Sequence, residues 1–265
     1  MPHEYVALWQ QAHADLREVA TTAPWDQQSL LPGWTVADIA AHTIWIERTA
    51  LGRVDPPHEP NWSGLPHARG DFGRASEVPV DLRRTRPRAA VLAEWDDTVA
   101  DRLAVLAGTP AQERTQDIFG AQRPVGDVLR TRIFDLWVHE QDIRVPAGMP
   151  GNLDSSSARL AAEVLIGGLG MVWARRAGAP VGSSLVVATT GPGISLTAAV
   201  ATQADGRARP VAPDATAEPT VRLTTGFGNL VALMCGRSNA DPGGVRMDGD
   251  AALAERVIAA LAVTP

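Results

Sequence analysis

Leu31-Pro32-Gly33-Trp34-Thr35-Val36-Ala37-Asp38-Ile39-Ala40-Ala41-His42 reads as a turn that runs into the first two turns of a helix. Pro32-Gly33 punctuates the chain, and Thr35 followed three residues later by Asp38 has the spacing of a capping box. Trp34 and Ile39 stand at the hydrophobic-staple positions on either side of the cap. His42 falls three residues after Ile39 and four before Ile46, which puts it on the apolar face of the helix. A buried imidazole needs a partner, and the rest of the chain can be searched for one.

Working outward, the first half predicts four helices. Val6, Trp9, His13, Leu16 and Ala20 recur at helical spacing in the first helix, and Leu92, Trp95, Val99, Leu103 and Leu106 form a stripe in the third. The fourth begins near Pro124 and runs to about Val145, where Pro146 and Gly148 stop it. Between the second and third lies a stretch at residues 54–80, rich in Pro, Gly and Asn, with Trp62 and Phe72 embedded. It reads as a long connection, of the kind that serves as a cover, a crossover or a disordered segment.

In the fourth helix the inward stripe through Val125, Leu129, Arg132, Asp135 or Leu136, His139 and Ile143 is apolar at its ends and polar in its middle. Asp135 and His139 are four apart and share one helical face. Two readings fit these residues. One is an ordinary Asp–His hydrogen bond beside a satisfied core histidine. The other is a divalent cation held by His42, Asp135 and His139, a donor set suited to Zn²⁺ with an open position and also to Fe(II), Ni²⁺ or Mn²⁺.

Composition shifts over residues 146–157, a Pro/Gly/Ser-rich linker, giving expected domains at 1–150 and 151–265. The second domain predicts a helix over 155–176, an antiparallel hairpin of strands at 185–189 and 194–200, a strand at 220–224, and helices at 226–235 and 250–261. The fold class is therefore an all-α four-helix bundle followed by a small α+β domain. Gly226-x-Gly228 follows a strand, but no parallel βαβ pattern surrounds it, so it reads as a turn rather than a nucleotide fingerprint.

The composition narrows the chemistry. With 265 residues, 45% hydrophobic and 20% charged, the chain has the makings of about two globular domains. No apolar run approaches the ~20 residues of a bilayer span, and His3 and Glu4 stand where a secretion signal would carry positive charge, so a cytoplasmic protein without membrane contact is expected. The net charge of −6 offers no footprint for nucleic acid. All 24 basic residues are arginine, which excludes Schiff-base catalysis and a Walker-type phosphate loop. The single cysteine, Cys235, forms no internal disulfide and no cysteine-rich zinc site, and reads as a small buried hydrophobe. His58 and His67 in the long connection read as solvated, unless that segment folds over the site.

The stretch quoted at the outset and Phe134-Asp135-Leu136-Trp137-Val138-His139-Glu140-Gln141-Asp142-Ile143-Arg144 together resemble the DinB-like, mycothiol-dependent maleylpyruvate isomerase family. Leu233-Met234-Cys235-Gly236-Arg237 and Val245-Arg246-Met247-Asp248-Gly249-Asp250 resemble that family's sterol-carrier-like C-terminal domain, so the likeness covers nearly the whole chain. It implies metal ligation by His42, Asp135 and His139, an essential catalytic arginine at Arg237, mycothiol as thiol cosubstrate, and a small electrophilic substrate that undergoes isomerisation or S-transfer. The isomerase has Glu where this chain has Asp135, one methylene shorter. An arginine capping a helix C-terminus is the plainer reading of Arg237. The rival function is a non-catalytic module with a structural metal and an apolar ligand in the C-terminal domain, which a fourth protein ligand such as His58 or His67 would favour. Hydrolysis through metal-bound hydroxide is a third possibility. The oligomeric state is left open.

Overall fold

The helix α1, Glu4–Thr22, buries Val6, Trp9, His13, Leu16 and Ala20 along one face, the period its sequence dictates. The structure, a computed structural model, describes residues 4–215 and 218–264, so His3 lies outside the described residues. The chain divides into two units, Met1–Gly151 and Asn152–Pro265.

In the first unit α2 spans Val36–Ala50, α3 Gly70–Arg83, α4 Arg88–Ala107 and α5 Val125–Arg144. Thr35 caps α2 through a complete capping box with Asp38, a contribution of about 1 kcal/mol. α1 packs on α5, and α2 packs on α4 and α3, so His42 on α2 and the polar middle of α5 lie in one bundle. A short antiparallel hairpin, β1 (Arg114–Gln116) and β2 (Gln122–Pro124), leads into α5.

The expected all-α bundle followed by an α+β unit is present, and two finer readings need correction. Among the described residues the long connection is not a loop throughout, because the helix α3 occupies its second half. Gly70, Gly73 and Pro79 give α3 poor intrinsic propensity, and its order comes from tertiary ion pairs instead. Arg83 bonds Asp55 and Glu94, and Glu77 accepts from Trp34 and pairs with His67 and Arg84. The buried face of α4 is also rotated from the apolar stripe, running through Val91, Trp95, Thr98, Arg102 and Leu106. Arg102 faces inward because a carboxylate, Glu47, is buried opposite it, 3.9 Å away.

In the second unit α6, Ser156–Met171, continues through one π turn at Val172–Arg176. Among the described residues this segment is the one helix long and apolar enough to cross a membrane by length and composition, and half of it is buried in the protein. Its apolar residues Leu160, Ala161, Leu165 and Leu169 are buried in the packing of α6 against the sheet. The sheet has the order β5-β4-β3-β6-β7, from β3 (Ser184–Thr190), β4 (Thr197–Thr202), β5 (Ala208–Val211), β6 (Val221–Gly226) and β7 (Arg246–Gly249). β3 and β4 pair antiparallel, whereas β3 and β6 pair parallel, a pairing the sequence did not suggest. α7, Phe227–Met234, follows β6 directly with Gly226 as N-cap, and α8, Ala251–Ala259, closes the unit. The Gly226-x-Gly228 segment is thus a strand-to-helix junction.

Candidate metal centre

α2 and α5 bring His42, Asp135 and His139 together, with one ligand atom from each residue lying within 4.8 Å of the others. The His139 Nε2 to Asp135 Oδ1 separation is 3.4 Å, close to the roughly 3.3–3.5 Å that two ligands of one tetrahedral Zn²⁺ keep between them. The set as a whole needs to contract by about an ångström to close on one ion. Two imidazole nitrogens and one carboxylate oxygen fit a zinc-type divalent cation and leave positions open. The shorter Asp135 therefore still reaches the cluster. Both histidines are buried, and the Asp135 side chain is 33% exposed, which leaves the carboxylate side of the cluster facing solvent.

His139 is oriented from behind. Its Nδ1 lies 3.0 Å from Oδ2 of buried Asp142, one turn along α5. A carboxylate on one ring nitrogen fixes the tautomer and aims the other at the cluster. Asp142 was not singled out in the sequence, although its i+3 spacing from His139 is the available signal.

Aromatic rings wall the site. Trp34 packs on His42 at 5.1 Å between centroids and faces His139 at 6.4 Å, while Trp45 lies 5.7 Å from His42. The Trp34 indole N–H donates to Glu77 Oε2 at 2.8 Å, and His67 Nε2 pairs with the same oxygen at 3.0 Å. The His67 ring lies against Gly33, where any Cβ would fall 2.2 Å from Nδ1, and Gly33 has φ +77, so glycine is required there twice over. Trp34 is thus part of the site wall.

His67 and His58 are paired rather than solvated: His58 Nε2 lies 2.7 Å from Asp81 Oδ2. Among the described residues the metal-type cluster contains neither of them.

The electrostatics follow from burial and charge. Burial raises the Asp135 pKa, but the charges of His139 and Arg132 outweigh it and hold the carboxyl far below the usual range. For His139 burial lowers the pKa, and Asp135 and Asp142 outweigh that to raise it to about 8.

The profile of the mycothiol maleylpyruvate isomerase N-terminal domain matches residues 6–144, which contain all three cluster residues. The chain belongs to that family. No curated protein matches it. Two solved structures share the fold across both units of the family member described here. One, described as a mycothiol-dependent maleylpyruvate isomerase, has 16% identity and a TM-score of 0.55, covering 94% of this chain and 93% of that one. The other, a histidine-to-alanine mutant of such an isomerase, has 17% identity and a TM-score of 0.55 over the same shares.

Arg237 sits in the second unit, just beyond α7. Gly236 turns the chain at φ +62, Arg237 N–H donates to the Ala232 carbonyl at 2.9 Å, and Gly236 N–H donates to Leu233, the bond pattern of a Schellman cap. The Arg237 Nη1 donates to the Cys235 carbonyl at 2.7 Å, and the guanidinium is half-buried. Cys235 itself is buried.

Proposed function

We propose that this protein is a metal-dependent enzyme that uses a low-molecular-weight thiol, mycothiol, as nucleophile toward a small electrophilic substrate, with His42, Asp135 and His139 as metal ligands. The observation that carries this reading is a three-donor cluster with open positions and one solvent-facing side, in a chain of the mycothiol maleylpyruvate isomerase N-terminal domain family. A structural metal would call for a fourth protein ligand, and the two histidines available for that role are engaged by Glu77 and Asp81.

A divalent cation held there would supply Lewis acidity that keeps a thiol ionised at neutral pH. The residues that would hold it are His42 and His139, through their imidazole nitrogens, and Asp135, through a carboxylate oxygen. Asp142 holds the His139 ring in place, and Trp34 and Trp45 keep water from the imidazole face. Thiolate addition to an unsaturated acid forms a C–S bond, turns the double bond into a single bond, and moves the electron pair toward the carboxylate end. Arg237, charged at every working pH, answers that negative charge. If the thiolate leaves after rotation about the new single bond, the outcome is cis/trans isomerisation with no net redox change. If the C–S bond is kept and the carbon takes a proton, the outcome is S-transfer.

Because Asp135 and Asp142 favour the His139 imidazolium in the ion-free protein, a cation has to displace a proton. Metal affinity is expected to rise about tenfold per pH unit up to about pH 8 and to level off above it. Chelator competition across that range checks the slope; a flat profile from about pH 6 to 9 removes His139 as a ligand. The function itself is tested by assaying metal-loaded protein with mycothiol and a panel of unsaturated acids, with glutathione as the control thiol. Mycothiol-dependent loss of the cis acid, or formation of a thioether, is expected. Equal rates with and without thiol would contradict it.

A further inference from the structure

Arg132 lies one helical turn before Asp135 on α5, and its guanidinium is shared between two helices. Its Nε donates to Glu47 Oε1 at 2.7 Å and its Nη2 to the Thr43 carbonyl at 3.3 Å, both on α2, while its Nη1 donates to Asp135 Oδ2. Glu47 is in turn fixed by Trp9 Nε1 at 3.2 Å and His13 Nε2 at 3.0 Å. The His13 Nδ1 accepts from Trp95 Nε1 at 3.2 Å, so the ring proton sits on Nε2 and points at Glu47. A continuous chain of bonds from α4, α1 and α2 therefore ends on the carboxylate of Asp135.

Arg132, Glu47 and His13 are all buried. Charges this deep persist only when each is fully paired, and a network tied to four helices has little freedom to rearrange. The consequence falls on Asp135. A carboxylate near a cation can offer one oxygen or two, and here Oδ2 is committed to the guanidinium while Oδ1 faces His139. Single-oxygen ligation keeps a further coordination position open for a cosubstrate. The same guanidinium ties α5 to the stretch of α2 that immediately follows His42, fixing the spacing between the two ligand-bearing helices.

We propose that Arg132, anchored by Glu47, is a positioning residue that restricts Asp135 to single-oxygen ligation and sets the separation of His42 from the Asp135–His139 pair. The inference rests on the metal reading given above.

Cobalt(II) serves as the probe, because the intensity of its visible bands falls as coordination number rises. Wild type, Arg132→Lys, Arg132→Met and the double variant Glu47→Gln/Arg132→Met are each titrated with Co²⁺, followed by chelator competition and a melting curve. The double variant removes both charges of the Glu47–Arg132 pair together, so neither is left buried without the other, and Arg102 is the neighbour that loses a carboxylate. Arg132→Met and the double variant are expected to lose about tenfold or more in Co²⁺ affinity, the usual effect of removing a partner behind a ligand, and to show weaker visible bands as Asp135 turns bidentate. Arg132→Lys, a point charge unable to serve Glu47, Thr43 and Asp135 at once, is expected to fall between. Wild-type affinity and spectrum in the variants that fold overturn the proposal, whatever happens to the melting temperature, and so does tighter binding. If wild type itself takes up no Co²⁺, the underlying metal site is wrong and the positioning role falls with it, an outcome distinct from wild-type binding that the variants leave unchanged.

Discussion

His139→Ala is expected to take the purified protein from about one divalent ion per chain to under about a tenth. The side chain supplies one of only three protein donors in the cluster, and it is the donor whose orientation is fixed from behind by Asp142. Two remaining donors on separate helices form a site open on too many sides to compete with water and buffer. His42→Ala is expected to act alike, since it removes the sole donor that α2 contributes to the cluster. Elemental analysis after dialysis against metal-free buffer decides it. Retention at the wild-type level in both variants would mean that the ion sits elsewhere or that the cluster is an ordinary hydrogen-bonded core.

The second large effect is expected at Arg237. If its charge answers the one that develops on the substrate, Arg237→Ala should leave metal content unchanged and cut turnover by about two orders of magnitude or more. Arg237→Lys should recover part of this, because an ammonium carries the charge without the bidentate fork. The structure also gives this side chain a local task, its bond to the Cys235 carbonyl at the end of α7. Steady-state kinetics beside a melting curve separates the two. Lost turnover with little change in melting temperature supports the catalytic role, and wild-type turnover with a lowered melting temperature makes Arg237 a helix cap alone.

The sequence carried the cluster because its three residues obey local rules. His42 follows a capping box that fixes where α2 starts, and Asp135 and His139 are spaced by one helical turn. What it did not carry depends on contacts between distant segments. α3 has glycines and a proline where a helix signal should be, and its order comes from Glu77 meeting Trp34 and Arg83 meeting Asp55. The inward face of α4 looked apolar in sequence, yet it turns Thr98 and Arg102 inside because Glu47 is there, 55 residues upstream of Arg102 by numbering. β5 and β7 are four-residue strands with largely exposed side chains, too short and too polar to show alternation. Glu47 follows the same pattern: it looks like a surface charge until Arg132, which the sequence already places on the inward stripe of α5, is seen to bond it.

The most direct test of the central claim is calorimetric titration of mycothiol into metal-loaded, metal-stripped and His139→Ala protein at one pH, with metal content measured on the same samples. The account predicts saturable binding by the metal-loaded protein, with the other two showing none. Binding of equal strength by all three would contradict it, because the thiol would then be held without the ion that His42, Asp135 and His139 are proposed to carry.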